Sequence, residues 1–252
     1  MTTVQGNNSI VLNAEPEHDG IRLTVILALF VGLVLGFFLI NWLIGLLSEG
    51  TGEFSLLISC VGAFPFAFLV VFLTEFTLKR TWPSGITLTL DDASPALVLK
   101  TAQANDRQFS LSDANTQLIW FFSLKGYPRG GRERRPNKNW FCLAAEIQQD
   151  DEQLSVYAYV PPKQATDLTQ EGKTAVSFHQ IFPPDLYDTS VRGRIGPPSR
   201  PNIPTDVIRS ASGRYWLAER RRWQNGLELS PKDFETLIQF LAQHGKRKAI
   251  WR

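Results

Sequence analysis

The sequence predicts a two-helix transmembrane hairpin followed by an α+β domain, which is mainly antiparallel β-sheet and ends in one helix. Residues 23–47 carry no charged side chain, and residues 54–78 carry only Glu75. Each stretch exceeds the roughly 20 apolar residues that cross about 30 Å of hydrocarbon. Short alternating apolar segments farther along predict the sheet. The predicted parts are a polar tail at 1–22, the hairpin at 23–78 with spans 23–47 and 54–78, and a domain at 79–252.

The start of the chain lacks the features of a cleavable secretory signal. Glu15, Glu17 and Asp19 precede the first basic residue, Arg22, whereas such signals begin with a basic region. We therefore expect the N-terminus to be retained.

The distribution of basic residues predicts which side of the membrane each part faces. The connection at 48–53 contains two Glu and no Lys or Arg, whereas Lys79 and Arg80 directly follow the second span. Lys and Arg near span ends mark the cytoplasmic face. From Lys79 onward there are 25 basic and 18 acidic residues, a net charge of +7. We therefore expect a multi-pass protein of the inner (cytoplasmic) membrane, with both termini in the cytoplasm.

Small residues recur every four positions in both spans, and this spacing allows helix backbones to pack closely in lipid. The two stripes can face each other within one hairpin, or one stripe can contact a second copy or another membrane protein. Glu75 is placed to pair with Lys79 one helical turn later. The helix-packing residues that we select are Ala28, Gly32, Gly36, Ser59, Ala63 and Ala67.

Alternation of apolar and polar residues predicts the strands of the domain. Asp150 and Asp151 indicate a turn between two of these strands, and Asn225-Gly226 indicates another turn after the last one. The expected strands lie at 86–90, 96–101, 117–124, 140–148, 154–160, 174–182 and 215–223.

One helix is predicted near the C-terminus. Ser230 is placed to cap it, Pro231 fits its first position, and Asp233 completes a capping box. Apolar residues then recur at helical spacing from Phe234 to Leu241, and Gly245 is a stop signal.

Several short strands followed by one amphipathic helix, all placed after a two-span hairpin, resemble the bacterial pleckstrin-homology-like (PH-like) membrane proteins. The resemblance covers residues 82–245 and rests on element order. It implies a small sheet-and-helix scaffold that binds lipids or proteins. A Pro-rich insertion at 183–204 departs from the compact pattern, and loops of this length are usually functional or disordered.

The sequence contains few residues that could perform catalysis. Its three histidines are His18, His179 and His244, and none belongs to a catalytic or phosphate-binding motif. Cys60 lies in a span and Cys142 in the domain, so neither a disulfide nor a thiolate metal site is expected. We predict no catalytic residue, no metal ligand and no cofactor.

Clusters of basic residues are the candidate binding groups of the domain. Such clusters near a membrane anchor attract anionic lipid headgroups, although they can also be solvated loop residues. A nucleic-acid partner is not expected, because the charge is mild and no binding motif accompanies it. The candidate lipid- or partner-binding residues are Arg129, Arg132, Arg134, Arg135, Lys138, Arg220, Arg221 and Arg222.

The sequence favours a non-catalytic accessory or scaffold protein that binds membrane lipids and either a protein partner or a second copy of itself. One alternative is an immunity or stress protein that neutralises a toxin at the membrane. Another is a membrane-bound enzyme, which a pocket holding His179 beside an acidic residue would support.

Overall fold

The computed structural model consists of two compact units. The sheet unit contains residues 1–15 and 85–252, and the helical unit contains residues 16–84. The structure describes residues 3–5, 9–15, 19–47, 55–101, 104–114, 116–125, 136–170, 176–183, 186 and 203–244.

The helical unit contains two long apolar helices. Helix α1 spans Asp19–Leu47 and α2 spans Ser55–Thr81, with Pro65 inside α2. By length and composition, both helices could cross a membrane. The Glu75 carboxylate lies 2.6 Å from the Lys79 ammonium group, as the spacing predicted.

The small-residue stripes of α1 and α2 meet inside the helical unit. A Cβ atom added to Gly32 would lie 2.9 Å from the Cα atom of Ala67, and one added to Gly36 would lie 3.2 Å from that of Ala63. Ser59, Ala63 and Ala67 are all buried, whereas Ala28 is half-buried. The two glycines therefore allow a close backbone approach that larger residues would block.

Replacing Gly32 by Leu is expected to destabilise the helical unit by about 1–3 kcal/mol, because the added side chain overlaps the backbone of α2. Gly45→Leu is the matched control, since nothing lies within 4 Å of a Cβ atom at this position. Thermal unfolding of the full chain in a neutral detergent, followed by circular dichroism, measures the difference. Equal melting temperatures for the two variants would contradict the packing described here.

The first sheet of the sheet unit is antiparallel and contains five strands in chain order. They are β1 (Thr3–Gln5), β2 (Ser9–Asn13), β3 (Thr87–Asp91), β4 (Ala96–Thr101) and β5 (Ala104–Ser110). The prediction of a polar N-terminal tail is therefore wrong for residues 9–13. Leu12 pairs with Leu88 of β3 and is fully buried, so this segment belongs to the hydrophobic core.

The second sheet has three long antiparallel strands at its centre, in agreement with the predicted ones. At its edges, β9 pairs with β6 and β10 pairs with β8, both in parallel. Its strands are β6 (Thr116–Ser123), β7 (Phe141–Gln149), β8 (Glu152–Val160), β9 (His179–Gln180) and β10 (Leu227–Glu228). Their order is β10-β8-β7-β6-β9. Asp150 and Asp151 form the predicted turn between β7 and β8.

Four helices follow β8 among the described residues. They are α3 (Pro162–Thr169), α4 (Thr205–Arg209), α5 (Gly213–Asn225) and α6 (Pro231–His244). The prediction of a strand at 215–223 is wrong, because this segment lies within α5. The prediction of a strand at 174–182 holds only for His179–Gln180 among the residues described there.

The predicted cap of α6 is confirmed. The Ser230 hydroxyl accepts a hydrogen bond from the backbone N–H of Asp233 at 3.1 Å and donates one to the Asp233 carboxylate at 2.9 Å. Phe234, Leu237 and Ile238 are buried behind this cap. Gly245, the predicted stop, lies outside the described residues.

The two faces of the second sheet pack against different partners. One face shares a core with the first sheet, α3 and α6, to which Leu88, Leu143 and Phe234 contribute. The other face packs against α5, with Trp120 and Trp216 in the same cluster. Both faces of the second sheet are therefore covered. Helices α3 and α6 pack on the core that this sheet shares with the first sheet.

Candidate binding groove

A groove between α3 and α6 of the sheet unit has a volume of about 900 Å³. Pro161 and Pro162 begin α3 with the fixed backbone angle that a helix start accepts. Ala165 and Leu168 then anchor α3 on the core. The groove is lined by Pro161, Lys163, Gln164, Asp167, Leu168, Glu235, Ile238, Gln239, Ala242 and Gln243.

The groove combines apolar and polar side chains from both helices. Leu168 of α3 and Ile238 of α6 are buried core residues that also contact the cavity. Three glutamines, Gln164, Gln239 and Gln243, supply amide groups that can both donate and accept hydrogen bonds. Apolar surface with a few polar groups is typical of binding pockets.

Half of the predicted basic residues fall outside the part of the chain that the structure describes. Arg129, Arg132, Arg134 and Arg135 lie outside the described residues. Lys138 and Arg220 are described and exposed, so both are available to a ligand.

Arg221 and Arg222 both form ion pairs with glutamates of the sheet unit. Arg221 donates from Nε to the buried carboxylate of Glu146 at 2.9 Å, and Ser155 donates to the same carboxylate at 2.9 Å. Arg222 is only 1% exposed. Its Nε and Nη2 atoms each lie 2.8 Å from an oxygen of Glu219. The assignment of Arg222 to a lipid- or partner-binding surface is therefore wrong.

His179 lies at the edge of the second sheet, next to the start of α5. Its Nε2 atom is 3.1 Å from the Ser212 hydroxyl, and its ring stacks on Tyr215 with 3.9 Å between centroids. Burial lowers the pKa of His179 below its ordinary value, and the positive charge of Arg214 lowers it further. No carboxylate contacts His179 in the part of the chain that the structure describes.

Metal-ligating groups are not clustered in the described ranges, where no set of three His, Cys, Asp or Glu residues could hold an ion. The two cysteines do not form a disulfide: Cys60 is exposed on α2, whereas Cys142 is buried in the sheet unit.

The sequence did not predict the groove, because the apolar periodicity that would identify α3 as a helix is weak. Only Ala165 and Leu168 of its eight residues are buried, and polar side chains separate them. The two consecutive prolines at 161 and 162 are the feature that could have indicated a helix start.

Comparisons with known proteins give no relative, since no family model, curated protein or solved structure matches this chain.

Proposed function

We propose that this chain is a membrane-anchored accessory protein without catalytic activity, whose sheet unit binds a protein partner in the groove between α3 and α6. The observation that carries the proposal is the position of the helical unit in the chain. It is inserted between β2 and β3, which pair side by side over Ser9–Asn13 and Thr87–Asp91. The two apolar helices are therefore an addition to a sheet unit that is complete without them.

The surface of the helical unit supports its role as the anchor. Large apolar side chains cover its outside, and Phe38, Phe68 and Phe72 are each 64% exposed. Exposing a continuous apolar surface of this size to water is unfavourable, whereas placing it in the hydrocarbon of a membrane is favourable. Because β2 and β3 pair directly, both ends of an inserted hairpin would lie on one side of the membrane. The basic residues after α2 favour the cytoplasmic side of an inner membrane.

The sheet unit is proposed to be a PH-like scaffold. Two sheets precede the C-terminal helix α6, in the order that the resemblance implies. The segment between β8 and α6 adds α3, α4 and α5, and α3 forms one wall of the groove. An added helix that creates a binding surface is consistent with a scaffold whose function is set by its insertions.

Anionic lipid headgroups are a second proposed ligand, bound at the exposed basic residues. Lys138 and Arg220 are the described candidates, and Arg129, Arg132, Arg134 and Arg135 complete the proposed set. Each basic group close to an anionic surface contributes about 1 kcal/mol.

Gln164→Trp is expected to reduce partner binding about tenfold or more, because the indole fills the groove and blocks an apolar anchor. The matched control is Thr166→Trp, which places the same side chain on the exposed part of α3, outside the groove. Membranes from the native cells are extracted in a mild detergent, and proteins that co-purify with each variant are quantified by mass spectrometry. The proposal is wrong if every co-purifying protein is retained equally by both variants, or if the wild-type chain washes off membranes in alkaline carbonate.

A further inference from the structure

We propose that the groove between α3 and α6 recognises a short polypeptide segment in which a large apolar side chain is flanked by Lys or Arg. This inference rests on the proposed function and names the chemistry of the partner. It follows from the charges, the amide groups and the apolar surface of the groove, taken in turn.

The charges that line the groove favour a cationic ligand. Asp167 on α3 and Glu235 on α6 place one carboxylate on each wall, and Lys163 is the single basic residue of the lining. Glu235 makes no hydrogen bond or ion pair within the described residues. With two carboxylates and one ammonium group, the lining carries a net charge of −1, which repels an anionic headgroup and attracts a Lys or Arg side chain.

The amide groups of the lining favour a polypeptide among cationic ligands. A peptide backbone presents alternating N–H donors and C=O acceptors, and a glutamine amide can satisfy either. Gln164 lies on one wall and Gln239 and Gln243 on the other. The backbone of a peptide placed between them can form hydrogen bonds to glutamine amides on both walls. A lipid or a metal ion has no such series of donors and acceptors to be matched.

The apolar part of the groove favours a large hydrophobic side chain at the centre of that segment. Pro161, Leu168, Ile238 and Ala242 come together here from both helices. A volume of about 900 Å³ exceeds what one side chain occupies, so it can also hold the neighbouring backbone. Buried apolar anchors usually contribute most of the affinity of such contacts.

The sequence of this chain provides a suitable probe. Residues 246–252, Lys-Arg-Lys-Ala-Ile-Trp-Arg, combine four basic residues with Ile250 and Trp251. A fluorescein-labelled peptide of this sequence is titrated with purified protein in a neutral maltoside detergent, and binding is followed by fluorescence anisotropy. Two proteins are compared: the full chain and a variant that ends at His244, in which the same sequence cannot compete.

The peptide is expected to bind the variant that ends at His244. In that background, the double substitution Asp167→Lys and Glu235→Lys should weaken binding about tenfold or more, because the attraction becomes repulsion. Asp206→Lys is the control, since it reverses an exposed charge on α4 outside the groove. Weaker binding to the full chain would support the inference, because the chain's own segment would then be competing for the groove.

Two results would overturn the inference. One is the absence of peptide binding to both the full chain and the variant that ends at His244. The other is equal binding to the charge-reversed protein and to the Asp206→Lys control. If Gln164→Trp nevertheless abolishes capture of the cellular partner, the groove binds a protein of different chemistry and the proposed function stands.

Discussion

Removal of residues 1–14 is expected to unfold the sheet unit, even though the helical unit separates these residues from the rest of it in the chain. β2 supplies Leu12 to the core and the next residue but one after it, Ala14, is also buried there, with exposures of 0% and 2%. Without β2, the backbone groups of β3 that face it lose their partners and the core opens to water. The single substitution Leu12→Ala should already cost about 2–5 kcal/mol.

A soluble version of the sheet unit makes this effect measurable. The backbone N–H of Ala14 donates to the carbonyl of Ile86 at 3.0 Å. The two points at which the helical unit is inserted into the sheet unit are therefore adjacent in space. About four Gly or Ser residues can replace residues 16–84, since short loops suffice between neighbouring strands. This protein is expected to be soluble and to unfold cooperatively, whereas the same protein without residues 1–14 should not.

Val11→Ala is the control for Leu12→Ala. Val11 points to the opposite face of β2 and is only partly buried, so its truncation should cost less. Circular dichroism during thermal unfolding compares these proteins. Equal stability with and without residues 1–14 would show that β2 contributes nothing to the fold.

Glu219→Ala is expected to destabilise the sheet unit by about 3–5 kcal/mol, because it leaves the charge of Arg222 buried without its carboxylate. Glu219 accepts two hydrogen bonds from Arg222 and a third from Trp120 Nε1 at 3.1 Å. Arg222 also lies over the ring of Tyr157, with 4.6 Å to its centroid. The carboxylate thus joins α5 to β6, the strand that carries Trp120.

A second substitution distinguishes charge burial from simple loss of packing. In the double variant Glu219→Ala and Arg222→Met, neither charge of this buried ion pair remains, so much of the lost stability should return. Arg220→Ala changes an exposed neighbour and should alter stability by less than about 0.5 kcal/mol. Arg222→Met alone completes the set, and chemical unfolding of the full chain in neutral detergent gives the free energies of all four variants. If the double variant is as unstable as the sum of its single substitutions, the ion pair does not explain the effect.

The predictable part of this fold is the part that local sequence patterns determine. The apolar helices follow from uninterrupted hydropathy, and the central strands follow from alternation such as that of Leu154 and Val156. The start of α6 follows from its capping box, because all of the interacting residues lie within four positions. None of these features depends on a distant segment.

The remaining elements depend on distant segments. β2 is a short apolar run whose partner Leu88 lies 76 positions after Leu12, so no local pattern identifies it. In α5, Tyr215, Trp216 and Trp223 are aromatic residues of a kind that is enriched in strands. Most of its buried residues, however, recur every three positions from Gly213 to Arg222. Three consecutive arginines suggest one exposed cluster, but a helix points them in different directions. Only Arg220 remains exposed.

The insertion of the helical unit between two paired strands also fixes an order of biogenesis. When β2 leaves the ribosome its partner has not yet been made, and at about 5–20 residues per second β3 follows several seconds later. During that interval Leu12 has no strand to cover it. The apolar helices emerge before β3, so in the proposed membrane-anchored protein they can enter the lipid before the sheet closes.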